Sequence, residues 1–332
     1  MTITGENEDR KSAANTGSSS ERDAVQRIRA SLDGTYVPPT KDRFDINSDA
    51  LYAAVGGLEL PQPEFELFPG LRLRQTYCRV IAPYLMAYAP PARPELPHPG
   101  PWTALGEGGL TVHAELELAA NTESLGFDRL NTVWFTVALL RLRLGQPLRV
   151  PVVADRPFSE IANHPDISNL VAIELQVPLV RTAPLRAPTE EDLRWVRINL
   201  EAAATLMKDP VFNRALQTLD RAVSIANPGA GIVIAWAAIE ALLRPGQQRI
   251  TEKVCKALAT MLHPPGSARD RAYTDIAASY EARGGAAHAG RMPDSKQFIA
   301  AFSLARSALM TSIEHGALPS VDELLTRWTA KA

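Results

Sequence analysis

Hydrophobic and polar positions divide the chain into two textures. In the first half they alternate over short stretches bounded by proline and glycine. Glu64-Phe65-Glu66-Leu67-Phe68, then Pro69-Gly70, then Leu71-Arg72-Leu73-Arg74 read as a strand, a turn and a strand. From Leu110 to Leu118 the alternation places Val112, Ala114, Leu116 and Leu118 on one face of a strand and His113, Glu115 and Glu117 on the other. Leu148–Val153 and Val171–Val180 are further strand candidates, and Ala89–Pro101 is so dense in proline that it must be extended. One helix interrupts this pattern. It runs from about Asp128 to Leu144, with Leu130, Trp134, Val137 and Arg141 along one side and Gly145 as its stop.

After about residue 188 the period changes from two to about 3.6. Thr189, with Asp192 three positions on, opens a helix carrying Leu193, Val196, Leu200 and Ala203. Asp209-Pro210 breaks it, and Val211–Ala226 makes a second. Asn227-Pro228-Gly229 breaks that in turn, and Gly231–Leu243 follows, nearly all apolar apart from Glu240, with Pro245-Gly246 as a stop. Ile250–Leu262 and Ser267 to about Arg283 are two more helices. Asp294 or Ser295 caps another that ends before Gly316, and Ser320 with Glu323 opens a last short one to about Thr329. Short connections between successive helices imply an antiparallel bundle. The expected organisation is a disordered polar tail over 1–36, an α+β domain with an antiparallel sheet over 37–187, and an all-α bundle over 188–330.

Composition adds bounds. Of the 332 residues, 45% are hydrophobic and 22% charged, as in a soluble globular protein, and a net charge of −2 supplies no long-range basic field. A nucleic-acid partner would therefore need a local basic patch. The two cysteines, Cys78 and Cys255, stand in different halves with no CxxC, which fits a reducing, cytoplasmic setting and a packed, inert Cys255. The polar start does not read as a signal peptide, and the apolar runs are too short to span a bilayer, so no membrane is expected.

Candidate chemistry concentrates in Tyr280-Glu281-Ala282-Arg283-Gly284-Gly285-Ala286-Ala287-His288-Ala289-Gly290. Ile276, Tyr280 and Arg283 share one stripe of a helix, and the two glycines favour ending or bending it, which would put His288 in a turn beside Arg283 and Arg291. Arginine suits a phosphate oxyanion and histidine moves protons near neutral pH. As a spacing alone the pair is common, and an arginine at a helix end also complements the helix dipole. Glu240, an acid in an apolar helix, needs a cationic partner, and Arg283 is the first candidate. His113, Glu115 and Glu117 have the chemistry of metal ligands, but the solvated face of a half-covered sheet accounts for them more simply. The scattered tryptophans suit core packing.

Three stretches together resemble the HEPN superfamily, more narrowly its ApeA-like members, over roughly residues 189–325. They are Ile234-Ala-Trp-Ala-Ala-Ile-Glu-Ala-Leu-Leu243, Ile250-Thr-Glu-Lys253, and Tyr280-x-x-Arg283 followed by four residues and His288. The resemblance implies an antiparallel helical bundle, usually dimeric, and a metal-independent endoribonuclease of a prokaryotic antiviral-defence or toxin type that needs no cofactor. It assigns Arg283 to the scissile phosphate, His288 to proton transfer and Glu240 to a supporting place in the same cleft, with Tyr280 in the matching motif; Arg291, by its nearness in sequence alone, is a second candidate phosphate contact. An RNA- or nucleotide-binding bundle without turnover and a structural dimerisation bundle stay open. The α+β part resembles the domain preceding such bundles only in size and texture, and suits a sensor or recognition module.

Overall fold

The structure is a computed structural model that describes residues 44–80, 85–88, 102–105, 110–161, 168–174, 186–225, 227–288 and 294–330, together with Gln26 and Asp33. Apart from those two residues the 1–36 tail lies outside the described residues, as do the proline-dense 89–101 segment, positions 175–180 of the Val171–Val180 strand candidate, and Arg291.

The first half builds a six-stranded sheet in which every neighbouring pair is antiparallel. Its strands are β1 (Leu51–Val55), β2 (Glu64–Phe68), β3 (Leu71–Val80), β6 (Leu110–Leu118), β7 (Val152–Ala154) and β8 (Leu170–Ala172), in spatial order β2-β3-β6-β1-β7-β8. A separate antiparallel ribbon pairs β4 (Leu85–Tyr88) with β5 (Trp102–Leu105). The hairpin turns at Pro69-Gly70 as its sequence predicts. On β6, Ala114, Leu116 and Leu118 point into the main core. Val112 instead joins a smaller cluster with Ala54, Val152, Ala154 and Phe158, next to a register shift on β3 between Gln75 and Cys78.

The opposite face of β6 departs from expectation. His113 is exposed, tilted against Tyr77 with ring centroids 5.7 Å apart, but Glu115 and Glu117 are buried rather than solvated. Two neighbours cause this. The short helix α2 (Phe158–Ile161) lies over Glu115, whose carboxylate accepts the Phe158 N–H at 2.8 Å, while Arg74 reaches from β3 to Glu117 at 3.2 Å. Burial pushes the Glu115 carboxyl above its ordinary pKa, only partly opposed by the Phe158 hydrogen bond. Both glutamates thus serve the sheet's second face and do not form a site with His113.

The helix before β7, α1 (Arg129–Leu144), is capped by Asp128, which accepts from the Asn131 N–H, and stops at Gly145 in the left-handed region. Among the described residues seven helices follow: α3 (Glu190–Leu206), α4 (Pro210–Ala222), α5 (Pro228–Leu243), α6 (Ile250–Leu262), α7 (Ser267–His288), α8 (Ser295–His315) and α9 (Val321–Thr329). Thr189 and Asp192 close a reciprocal capping box on α3, and Asp294 and Gln297 do so on α8. Proline at the first position of α4 and of α5 starts each helix without leaving an N–H to satisfy. One apolar cluster runs without interruption from Leu51 on the sheet to Leu324 on α9, so the change of texture near residue 188 is not a gap in the core.

Charged side chains at the end of α1 join the two halves. Arg141 bonds Asp220 of α4 at 3.1 Å and Glu174 at 2.8 Å, and Glu174 also accepts the Val150 N–H. Arg143 bonds Asp192 at 2.8 Å, and Arg186 bonds the same carboxylate at 2.6 Å. Arg306 of α8 donates to the carbonyls of Leu142 and Arg143, groups that a helix C-terminus leaves unpaired. Burial alone would raise the pKa of Asp192; hydrogen bonds from Arg186, Thr189 and Arg143 outweigh it and hold the carboxyl well below its ordinary 3.8.

An Asp192→Asn variant is expected to lose about 1.5–3 kcal/mol of stability at neutral pH, the worth of hydrogen bonds to a buried charged group whose arginine partners are partly exposed. Because the folded pKa is depressed, that contribution is present above pH 3.8 and lost as pH falls further. Urea denaturation of both proteins at neutral pH and near pH 3 checks this: the difference between them should shrink in acid.

Candidate phosphate site at Glu240, Tyr280 and Arg283

Helix α5 is apolar along almost its whole length and is packed among α4, α6, α7 and α8. Trp236 is fully buried in it. One turn later Glu240 emerges where α5 nears its end, before Arg244 stops the helix in the left-handed region at φ 50°. Facing it across the bundle, α7 presents Ile276, Tyr280 and Arg283. Exposure grows along this stripe, from 1% at Ile276 through 9% at Tyr280 to 23% for the Arg283 side chain.

These residues meet in a compact clasp. The Tyr280 hydroxyl donates to Glu240 Oε1 at 2.7 Å. Arg283 Nη2 lies 3.3 Å from Oε1 and 3.4 Å from Oε2. Charge-assisted hydrogen bonds usually close to about 2.7–2.9 Å, so the tight bond of Glu240 is to tyrosine and its arginine contact is loose. The Tyr280 ring stands edge-on to Trp236, centroids 4.9 Å apart, and the Arg283 guanidinium lies 5.4 Å from the same ring. Arg283 Nε is buried and has no hydrogen-bond partner among the described residues. Burial, and then the hydrogen bond and charge of Glu240, raise the Tyr280 hydroxyl above its ordinary pKa of 10.0, so it remains a donor at neutral pH. The clasp therefore holds a guanidinium against Glu240 and the Tyr280 ring, with its Nε–H buried and the rest of the side chain partly exposed. That is the chemistry of an oxyanion site.

The pairing of Glu240 with Arg283 is as expected from the sequence. The helix end is not. α7 does not stop at Gly284 but continues through both glycines to His288. Ala282 and Ala286 pack against the core, and this tertiary contact outweighs a glycine penalty of about 1 kcal/mol per residue. His288 is thus the last residue of α7 rather than part of a turn, and its side chain lies outside the described residues, as does all of Arg291. In a continuous helix a step of five residues is about 500°, so positions 283 and 288 stand about 140° apart around the axis.

Trp236 is a site neighbour that the sequence reading assigned only to packing. Its spacing of four from Glu240 on one helix was the available signal. The other tryptophans with described side chains, Trp134, Trp195 and Trp328, pack partly buried on the core. Cys255 is buried on α6, and burial followed by the nearby Glu281 pushes its thiol up to about 12, which makes it inert. No helix among the described residues is long and apolar enough to cross a membrane. Comparison with protein-family models, with curated proteins and with solved structures finds no significant match.

Two outcomes test this description. Tyr280→Phe removes the tight bond to a charged acceptor and should cost about 1.5–3 kcal/mol in urea denaturation. Gly284→Ala should instead stabilise by about 0.5–1 kcal/mol, because a Cβ there meets nothing within 4 Å. A destabilised Gly284→Ala would contradict an unbroken α7.

Proposed function

We propose that this chain is a metal-independent endoribonuclease of a prokaryotic defence or toxin type, with a HEPN-like bundle as its catalytic part and RNA as its substrate. The observation that carries the reading is the loose clasp on Arg283: a part-buried, oriented guanidinium beside a carboxylate whose tight bond goes to Tyr280. A phosphodiester oxygen would bind at the exposed part of that guanidinium. In the proposed reaction the ribose 2′-oxygen attacks the adjacent phosphorus, the O2′–P bond forms and the P–O5′ bond breaks. His288 moves a proton, either from the 2′-hydroxyl or to the departing 5′-oxygen. Arg283 neutralises the charge that builds on the phosphoryl oxygens. The products are a 2′,3′-cyclic phosphate and a 5′-hydroxyl. The working form proposed is a cytoplasmic homodimer through the bundle, with the sheet half sensing a signal or restraining the bundle.

A second reading, RNA or nucleotide binding without turnover, is favoured by the continuous α7, which separates positions 283 and 288 around the helix axis. One assay separates the two. RNA is incubated in EDTA with wild type, Arg283→Lys and His288→Ala. The nuclease reading expects wild-type cleavage leaving cyclic phosphate ends, with a drop of about 10²–10⁴-fold for His288→Ala and about 10²–10³-fold for Arg283→Lys. Equal cleavage by all three, or cleavage abolished by EDTA, overturns it. Intact RNA with salt-sensitive binding that needs Arg283 establishes the second reading instead.

A further inference from the structure

A groove of about 710 Å³ opens between α7 and α8, and neither Tyr280 nor Arg283 lines it. Its floor is apolar, with Ile276 of α7 and Leu304 of α8 among its residues. A solvated helix face usually carries charge. Here the exposed flanking positions are small and neutral: Ala268 on α7, Ala300 and Ser307 on α8. The ionisable residues of the groove are His263 at the end of α6 and, one turn apart on α7, Arg271 and Asp275. Arg271 and Asp275 are exposed and enter no ion pair among the described residues. Arginine four positions before aspartate is the weaker order for a pair within one helix, because each charge then opposes the helix dipole.

That order makes the ridge complementary to itself. Position 273 lies midway between the two charges. When a second copy lies antiparallel along the ridge, with a two-fold axis beside position 273, Arg271 of each copy meets Asp275 of the other, and two ion pairs form together. The same axis matches the next exposed positions. Ala268 and Ala278 stand five residues to either side of 273 and, at about 100° per residue, about 40° to either side of the ridge's centre line. Both are exposed, so Ala268 of each copy faces Ala278 of the other. Alanine at both contacts lets two helices approach to about 8 Å, the close end of the usual interaxial range. One positive and one negative charge leave the ridge without net charge, so it offers no field to a polyanion.

We propose that the α7 ridge at the mouth of this groove is the interface between two copies of this chain, paired about a two-fold axis beside position 273. The proposal rests on the reading that the bundle forms a homodimer, and it names the face. Arg283 lies ten residues, or about 15 Å, along α7 from the axis, which places the two Arg283 residues of a dimer about 30 Å apart. Each clasp of Glu240, Tyr280 and Arg283 is therefore built by one chain, and the dimer carries two separate sites.

Sedimentation equilibrium of the full chain at concentrations up to about 100 μM should show a dimer. Arg271→Asp and Asp275→Arg each bring like charges together twice across the axis, and each should weaken the dimer at least about 100-fold. Combined in one chain, the two reversals exchange the members of each pair and should restore the dissociation constant to within about threefold of wild type. Misfolding of a single variant would not be rescued in this way. If both single variants dimerise as wild type does, the interface is overturned and a homodimer through another face of the bundle remains. If the double variant stays as weak as the single ones, the two-fold pairing is overturned. A wild-type chain that is monomeric throughout overturns both this interface and the homodimer, and leaves the reading of Arg283 untouched.

Discussion

A helix that is apolar on all sides has to be surrounded, and α5 sets the arrangement of the bundle for that reason. Its residues from Gly231 to Leu243 offer almost nothing to water, so α4, α6, α7 and α8 close around it. Close approach is built into its start. A Cβ at Gly231 would stand 2.8 Å from the Phe298 ring of α8, a ring buried to 1% exposure that has nowhere to go. The one ionisable side chain that α5 carries, Glu240, then has a narrow choice. A carboxylate at the margin of such a core needs donors, and α7 supplies them in Tyr280 and Arg283. The candidate site thus stands where the most hydrophobic helix of the chain has to accommodate a charge.

The same requirement organises the junction with the sheet. Arg141, Arg143 and Arg306 gather at the end of α1, and each is matched: by Glu174 and Asp220, by Asp192, and by the free carbonyls of the helix end. The carboxylates respond in opposite directions. Asp192 is held acidic by several donors, while burial pushes Asp220 up against the opposing pull of Arg141. These groups come from segments far apart in sequence, so they fix how α3, α4 and α8 sit on α1.

Much of this was legible in the sequence because it depends on local rules. The bounds of α6, the caps of α1, α3 and α8, and the β2–β3 hairpin follow from period, capping residues and turn residues. The Glu240–Arg283 pair followed from the cost of an unpaired acid. Elsewhere a distant segment decided the outcome. Glycine propensity stopped α7 five residues early, because packing of Ala282 and Ala286 is invisible to propensity. The alternation on β6 was right for Ala114, Leu116 and Leu118, but the cover supplied by α2 and Arg74 to its other face is tertiary, so Glu115 and Glu117 read as solvated.

The central claim is that Arg283 is an oxyanion site held open by Glu240 and Tyr280. Its Nε–H, buried and without a partner among the described residues, reports on the guanidinium. Nitrogen-15 NMR can follow that signal, assigned by its absence in Arg283→Lys, while uncleavable 2′-O-methyl RNA is titrated into the full chain. The account predicts a shift of the Nε–H resonance that saturates with the RNA and is abolished by competing inorganic phosphate at high concentration. A resonance that stays in place while the RNA binds would contradict it.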